Sequence, residues 1–181
     1  MTAGRNKKLD SEALWNYALR VLGARAYSIS ELRGKLLGKA AEAGDVPEIL
    51  AKLKEYGYLD DKRFAESFAS SRRDSQGFGR FRVLRDLRGR KVAPTVAERA
   101  VQSAYKEADE TALIENYLER KYRRVNLGEF LAEPKNLASA YRRLRTAGFG
   151  SGSVIRVLKR YAAGTDEIEA LETEDSSQES E

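Results

Sequence analysis

Apolar positions recur every three to four residues along most of this chain, and that period predicts helices almost throughout. Leu14, Tyr17, Ala18, Val21 and Leu22 form the first stripe, with Ser11 placed to cap it. SISELRGKLLGKA opens a second helix at Ser30 and carries Leu32, Leu36 and Leu37. A third starts near Pro47, presents Ile49, Leu50 and Leu53, and stops at Gly57, a residue type suited to the turn that ends a helix. Phe64, Ala65, Phe68 and Ala69 mark a fourth helix, Val83, Leu84 and Leu87 a fifth, and Val96, Ala97, Ala100 and Val101 a sixth just past Pro94. The seventh carries Leu113, Ile114, Tyr117, Leu118 and Tyr122. The eighth, from Pro134, carries Leu137, Tyr141 and Leu144, and the ninth, after GFGSGS, carries Val154, Ile155, Leu158 and Tyr161.

Taken in threes, these nine helices correspond. The middle members KLLGKA, RDLRGRKV and RRLRTAGF align on Leu36, Leu87 and Leu144, spaced by 51 and then 57 residues. The expected fold is all-α: three tandem three-helix repeats stacked into an elongated, curved rod. The expected boundaries are a flexible arm over 1–10, repeats over 11–59, 60–108 and 109–163, and a disordered acidic tail over 164–181.

Composition narrows the chemistry. The chain has no cysteine and no histidine, which excludes disulfides, zinc fingers and nucleophile–imidazole pairs. The longest stretch without a charge is TAGFGSGSVI, far short of the roughly 20 apolar residues a membrane span needs, and MTAGRNKKLD lacks the apolar core of a signal peptide. A soluble, cytoplasmic monomer is expected, without membrane contact or cofactor. The net charge of +5 conceals a division: eight acidic and no basic residues lie in 164–181, so the body carries all 33 Lys/Arg against 20 acids. A body charged to +13 calls for a polyanion or an acidic protein surface as partner. The tail is by default a solubilising segment, and alternatively folds back onto the basic face to compete with that partner.

Two stretches invite functional readings. In YLDDKRFAESF, Asp60 and Asp61 stand at a helix start, where carboxylates accept bonds from first-turn N–H groups. A magnesium-dependent nuclease built on Asp60, Asp61 and Glu66 is the rival reading, but Lys62 and Arg63 would repel a cation. No metal site and no catalytic group is assigned.

RRDSQGFGRFRVLRDLRGRK holds eight Lys/Arg against two Asp. Arg82, Arg85 and Arg88 run along the face opposite Val83, Leu84 and Leu87, in the geometry that grips phosphate or carboxylate oxygens. Arg72 and Arg73 border a loop expected to be mobile through Ser75, Gly77 and Gly79, with Arg80, Arg90 and Lys91 beyond it. A second basic group comprises Arg142, Arg143 and Arg145, flanked by Arg120, Lys121, Arg123, Arg124, Arg156, Lys159 and Arg160. Phe78 and Phe81 could stack on bases, although Phe81 is expected to pack against the helix stripe. GFGSGS has G-x-G but no preceding strand, so it is expected to be a helix end followed by a Ser151 or Ser153 cap. Almost no Asn or Gln accompanies these arginines, so a stand-alone DNA binder would be weakly sequence-specific.

GYLDDKRFAESFASSRR, followed by a glycine-containing loop and RFRVLRDLRGRKV, resembles the RecX regulatory proteins. Lys91-Val92 stands where that family usually has Gly-Ile. AYSISELRGKLLGKA and RRLRTAGFGSGSVIRVL are similar to its first- and third-repeat segments, with Ala147 where Arg is common, so the resemblance spans about residues 12–161. It implies three tandem three-helix repeats and a partner, the RecA recombinase. It also implies lodging in the groove of RecA–single-stranded DNA filaments, with inhibition of strand exchange, ATP hydrolysis and coprotease activity. On that basis the basic residues above become candidate contacts to RecA or DNA.

Overall fold

The computed structural model describes residues 8–161. Ten helices occupy them: α1 Ser11–Ala24, α2 Ile29–Lys39, α3 Asp45–Glu55, α4 Asp61–Gln76, α5 Arg80–Gly89, α6 Pro94–Tyr105, α7 Glu110–Lys121, α8 Leu127–Ala132, α9 Pro134–Thr146 and α10 Ser151–Leu158. The acidic tail and most of the N-terminal arm lie outside these residues. The described end of that arm is tied down: Leu9 pairs with Ala40, donating its N–H to the Lys39 carbonyl and accepting from Ala41.

The nine periodic segments are all helices, and α8 is the tenth. It is capped by Asn126, whose side chain accepts from the Gly128 and Glu129 N–H groups, and it anchors through buried Leu131. Its six residues lie between Leu87 and Leu144, in the interval that is six residues longer than the one before it. The three aligned leucines are fully buried, each on its group's middle helix. Leu37 departs from expectation: one residue past Leu36, it is turned off the apolar stripe and 42% exposed.

The chain divides into two compact units, one holding residues up to Phe68 together with Asp86–Ala100, the other Ala69–Arg85 and the chain from Val101. In the first unit Leu14, Ala18, Leu32, Leu36, Val46 and Leu53 are wholly buried. Caps there differ from the expected ones by one or two residues. Asp10, not Ser11, accepts from the α1 N–H of Ala13, and Ser28, not Ser30, opens α2 through a capping box with Glu31. The aspartate pair serves two helices. Asp60 accepts from the N–H groups of Lys62 and Arg63 at the start of α4, whereas Asp61 reaches back to the Ile29 N–H of α2 at 2.8 Å. Among the described residues no group of three or more carboxylates could hold a metal ion.

In the second unit Ile114, Leu118, Leu131, Leu137, Leu144, Phe149, Val154 and Leu158 form the core, with Tyr117 meeting the Phe149 ring edge-on at 5.8 Å.

Candidate functional site

In the second unit two sharp turns lock together and set the basic residues. α4 ends with Gly77 in the left-handed region, and the following residues are pinned rather than loose, which corrects the expected mobile loop. Tyr105 donates its hydroxyl to the Phe78 carbonyl at 2.6 Å, and Arg120 donates to the Gln76 carbonyl at 2.7 Å. Burial holds the Tyr105 phenol neutral, well above its ordinary range. Gly79 donates its N–H to the Ala147 carbonyl at 2.9 Å, and Phe81 donates to the Gly148 carbonyl at 3.1 Å. The backbones approach so closely that a Cβ on Gly79 would stand 2.2 Å from the Gly148 oxygen. Gly148 has φ +92, and a Cβ there would stand 2.2 Å from the Arg82 nitrogen. Neither position tolerates a side chain without moving backbone.

This lock sets the first turns of α5 beside the end of α9 and the start of α10. Between them lies an open cleft of about 620 Å³, lined by Phe81 and Arg85 from α5, Arg145 from α9, buried Phe149, and Gly150–Ser153 with Arg156 from α10. Arg85 makes a long 3.4 Å contact to the Thr146 carbonyl, and Arg145 donates to the Phe149 carbonyl at 2.8 Å. Arg156 is exposed and has no acidic partner among the described residues. One carboxylate stands at the edge: Glu110 accepts from the Gly150 N–H at 3.0 Å. That bond, rather than the expected Ser151 or Ser153 cap, meets the chain at the start of α10, leaving both hydroxyls on the cleft wall. Among the described residues the cleft thus combines three guanidinium groups, one carboxylate at its edge and an aromatic ring 49% exposed, a chemistry suited to anions that also carry apolar groups. Phe81 is thus more open than expected; Phe78 is the covered ring, with the Arg82 guanidinium 3.9 Å above it.

The remaining candidates separate by what they touch. Arg80 is exposed and lies 4.9 Å over the Phe81 ring. Arg142 and Arg143 are exposed on α9 and have no acidic partner among the described residues. Arg72 bonds Gln76. Arg73 pairs with Asp74 at 2.6 Å and reaches the Ala104 carbonyl; the hydrogen bond raises the guanidinium and holds the Asp74 carboxyl below its usual range. In the first unit Arg88 pairs with Glu98 at 3.2 Å. Arg90 pairs with Glu31 at 2.7 Å and lies over the Phe64 and Phe68 rings, at 5.8 and 5.6 Å, while its carbonyl accepts from the buried Ser28 hydroxyl. These two are engaged structurally. Lys91 is exposed and has φ +57.

Arg156 carried no signal of its own in the sequence beyond membership of a downstream basic run. Only the turn-to-turn lock places it across from Arg85, 71 positions earlier in the chain.

Comparison with known proteins agrees with the fold and with the resemblance carried by YLDDKRFA. The family described as "RecX, second three-helix domain" matches residues 60–101. The regulatory protein RecX of Deinococcus radiodurans is 34% identical over 151 residues, covering 83% of this chain and 69% of that protein. The regulatory protein RecX of Shigella sonnei is 32% identical over 132 residues, covering 67% of this chain and 78% of that one. The crystal structure of RecX from Lactobacillus salivarius superposes with a TM-score of 0.63 over 83% of this chain and 96% of that one, at 18% identity. A second RecX crystal structure gives 0.64 over 83% and 73%, at 21% identity.

Proposed function

The chain belongs to the RecX family of regulatory proteins, and from that premise we propose that it is a non-catalytic regulator that binds RecA and RecA–single-stranded DNA filaments. Binding lowers ATP hydrolysis, strand exchange and coprotease activity, and so tunes DNA repair and the SOS response in the cytoplasm. The observation that carries this reading is the partition of the arginines. Arg73, Arg88 and Arg90 are spent on internal partners, whereas Arg80, Arg85, Arg142, Arg143 and Arg156 face outward in the second unit. Exposed guanidiniums that outnumber the neighbouring acids suit a phosphodiester backbone or an acidic protein face.

A protein partner has separate support in the first unit. Trp15, Tyr56 and Tyr58 form an edge-to-face series at 6.1 and 6.5 Å, with Tyr56 61% and Tyr58 58% exposed. Rigid, half-open aromatics of this kind dominate the energetics of protein interfaces.

The test is RecA ATPase on single-stranded DNA with this protein titrated in. Inhibition at or below one chain per RecA is expected, and its absence overturns the reading. Arg85→Glu, Arg142→Glu and Arg156→Glu together should abolish inhibition while helicity is unchanged. Tyr56→Ala with Tyr58→Ala should weaken binding to RecA roughly tenfold or more and leave binding to free DNA unaltered. A stand-alone DNA binder would respond to the arginine changes alone and show no RecA binding for the tyrosine changes to weaken.

A further inference from the structure

The cleft formed by Phe81, Arg85, Arg145 and Arg156 opens beside the helix that leads directly into the acidic end of the chain. We propose that this cleft is a docking site for the chain's own residues 164–181, which compete there with the external polyanion. The inference rests on the reading that the cleft receives such a partner, and adds a regulator to it.

Three observations carry it. The first is charge: GTDEIEALETEDSSQESE has eight acidic residues and no basic one, while the cleft presents the exposed Arg85 and Arg156 and, among the described residues, one carboxylate at its edge, that of Glu110. The second is mixed chemistry. Within DEIEALE, Ile168 and Leu171 alternate with carboxylates, matching a cleft in which the exposed Phe81 ring lies beside arginines. A purely acidic run would leave that ring uncovered.

The third is reach. α10 spans eight residues, about 12 Å, so the mouth of the cleft lies roughly that far back from the last described turn. Seven residues beyond Tyr161 extend to at most about 24 Å, enough to bring Ile168 to the cleft. A tether this short gives an effective concentration on the order of millimolar, so even a weak contact is substantially occupied. The cleft lies wholly in the second unit, so docking there requires nothing of the first.

The decisive measurement uses neither RecA nor DNA. A fluorescein-labelled peptide of residues 162–181 is titrated with the full-length chain in which the eight acids of 164–181 are replaced by Asn or Gln. Saturable binding is expected at low salt, weakened at least tenfold by Phe81→Ser, Arg85→Glu and Arg156→Glu combined. It should be unchanged by Arg33→Glu with Lys52→Glu in the first unit. Equal loss in both variants would reveal unspecific charge attraction and overturn the proposal, as would no binding.

In the full chain, replacing the eight acids by Asn or Gln should tighten binding to an oligothymidylate three- to tenfold at low salt, with the gain vanishing as salt rises. Identical affinities at every salt concentration overturn the competition. Failure of RecA inhibition with peptide binding intact would instead remove the RecA reading and leave the tail contact standing.

Discussion

At the scale of single residues, four turns decide where α3, α4, α5 and α9 end. Gly57, Gly77, Lys91 and Gly148 all take positive φ, and only Lys91 carries a side chain there. Lys91 donates to the Arg88 carbonyl and Val92 to the Leu87 carbonyl, the same pattern by which Gly148 and Phe149 close α9 onto Arg145 and Leu144. A left-handed residue with a Cβ is strained by roughly 1–2 kcal/mol. Lys91→Gly should therefore stabilise the protein by about 0.5–1 kcal/mol, read as a higher urea midpoint at unchanged slope. Gly148→Ala should cost roughly 2–4 kcal/mol, because the new methyl adds a backbone clash to the unfavourable φ. If both changes prove neutral, the turns are not the fixed points described. The sequence exposed half of this: Lys91-Val92 stood out against the family's Gly-Ile, but nothing local showed that Gly79 and Gly148 touch.

At the scale of elements, helices are joined by polar groups that a pattern of apolar positions cannot reveal. Ser28, Glu31 and Arg90 bind the start of α2 to the residue following α5, and Asp61 adds a carboxylate to the same α2 terminus. The Glu31 and Arg90 side chains are only 20% and 29% exposed, so their pairing is less screened than a surface ion pair. A double-mutant cycle with Glu31→Gln and Arg90→Met should give a coupling of roughly 1–2 kcal/mol in chemical unfolding. A coupling near zero would return Arg90 to the pool of residues available to a partner. α8 was missed for a related reason. Six residues hold too few turns for periodicity to register, and its signs were the Asn126 cap and the longer repeat spacing.

At the scale of the whole molecule, the proposed function rests recognition on groups that do not titrate near neutrality. The chain has no histidine, and guanidinium and phosphodiester groups both stay ionised across that range. Affinity for single-stranded DNA should be flat between about pH 6 and 9. It should fall steeply with salt, at a slope near −0.7 per phosphate engaged, hence about −2 to −3.5 for three to five contacts. Fluorescence anisotropy across both series checks this. A marked pH dependence with a shallow salt slope would point away from guanidinium–phosphate contact.

The helices, their apolar stripes and the capping of α4 by Asp60 were determined by the sequence itself, because each depends on residues within a few positions of one another. So was the excess of positive charge. Which arginines are available was decided only by the tertiary structure, since pairing with Asp74, Glu98 or Glu31 consumes some and the meeting of two glycine turns brings others together. Local propensity fixes the first kind of fact. The second depends on contacts between residues as far apart as Gly79 and Gly148, and no short-range pattern encodes those.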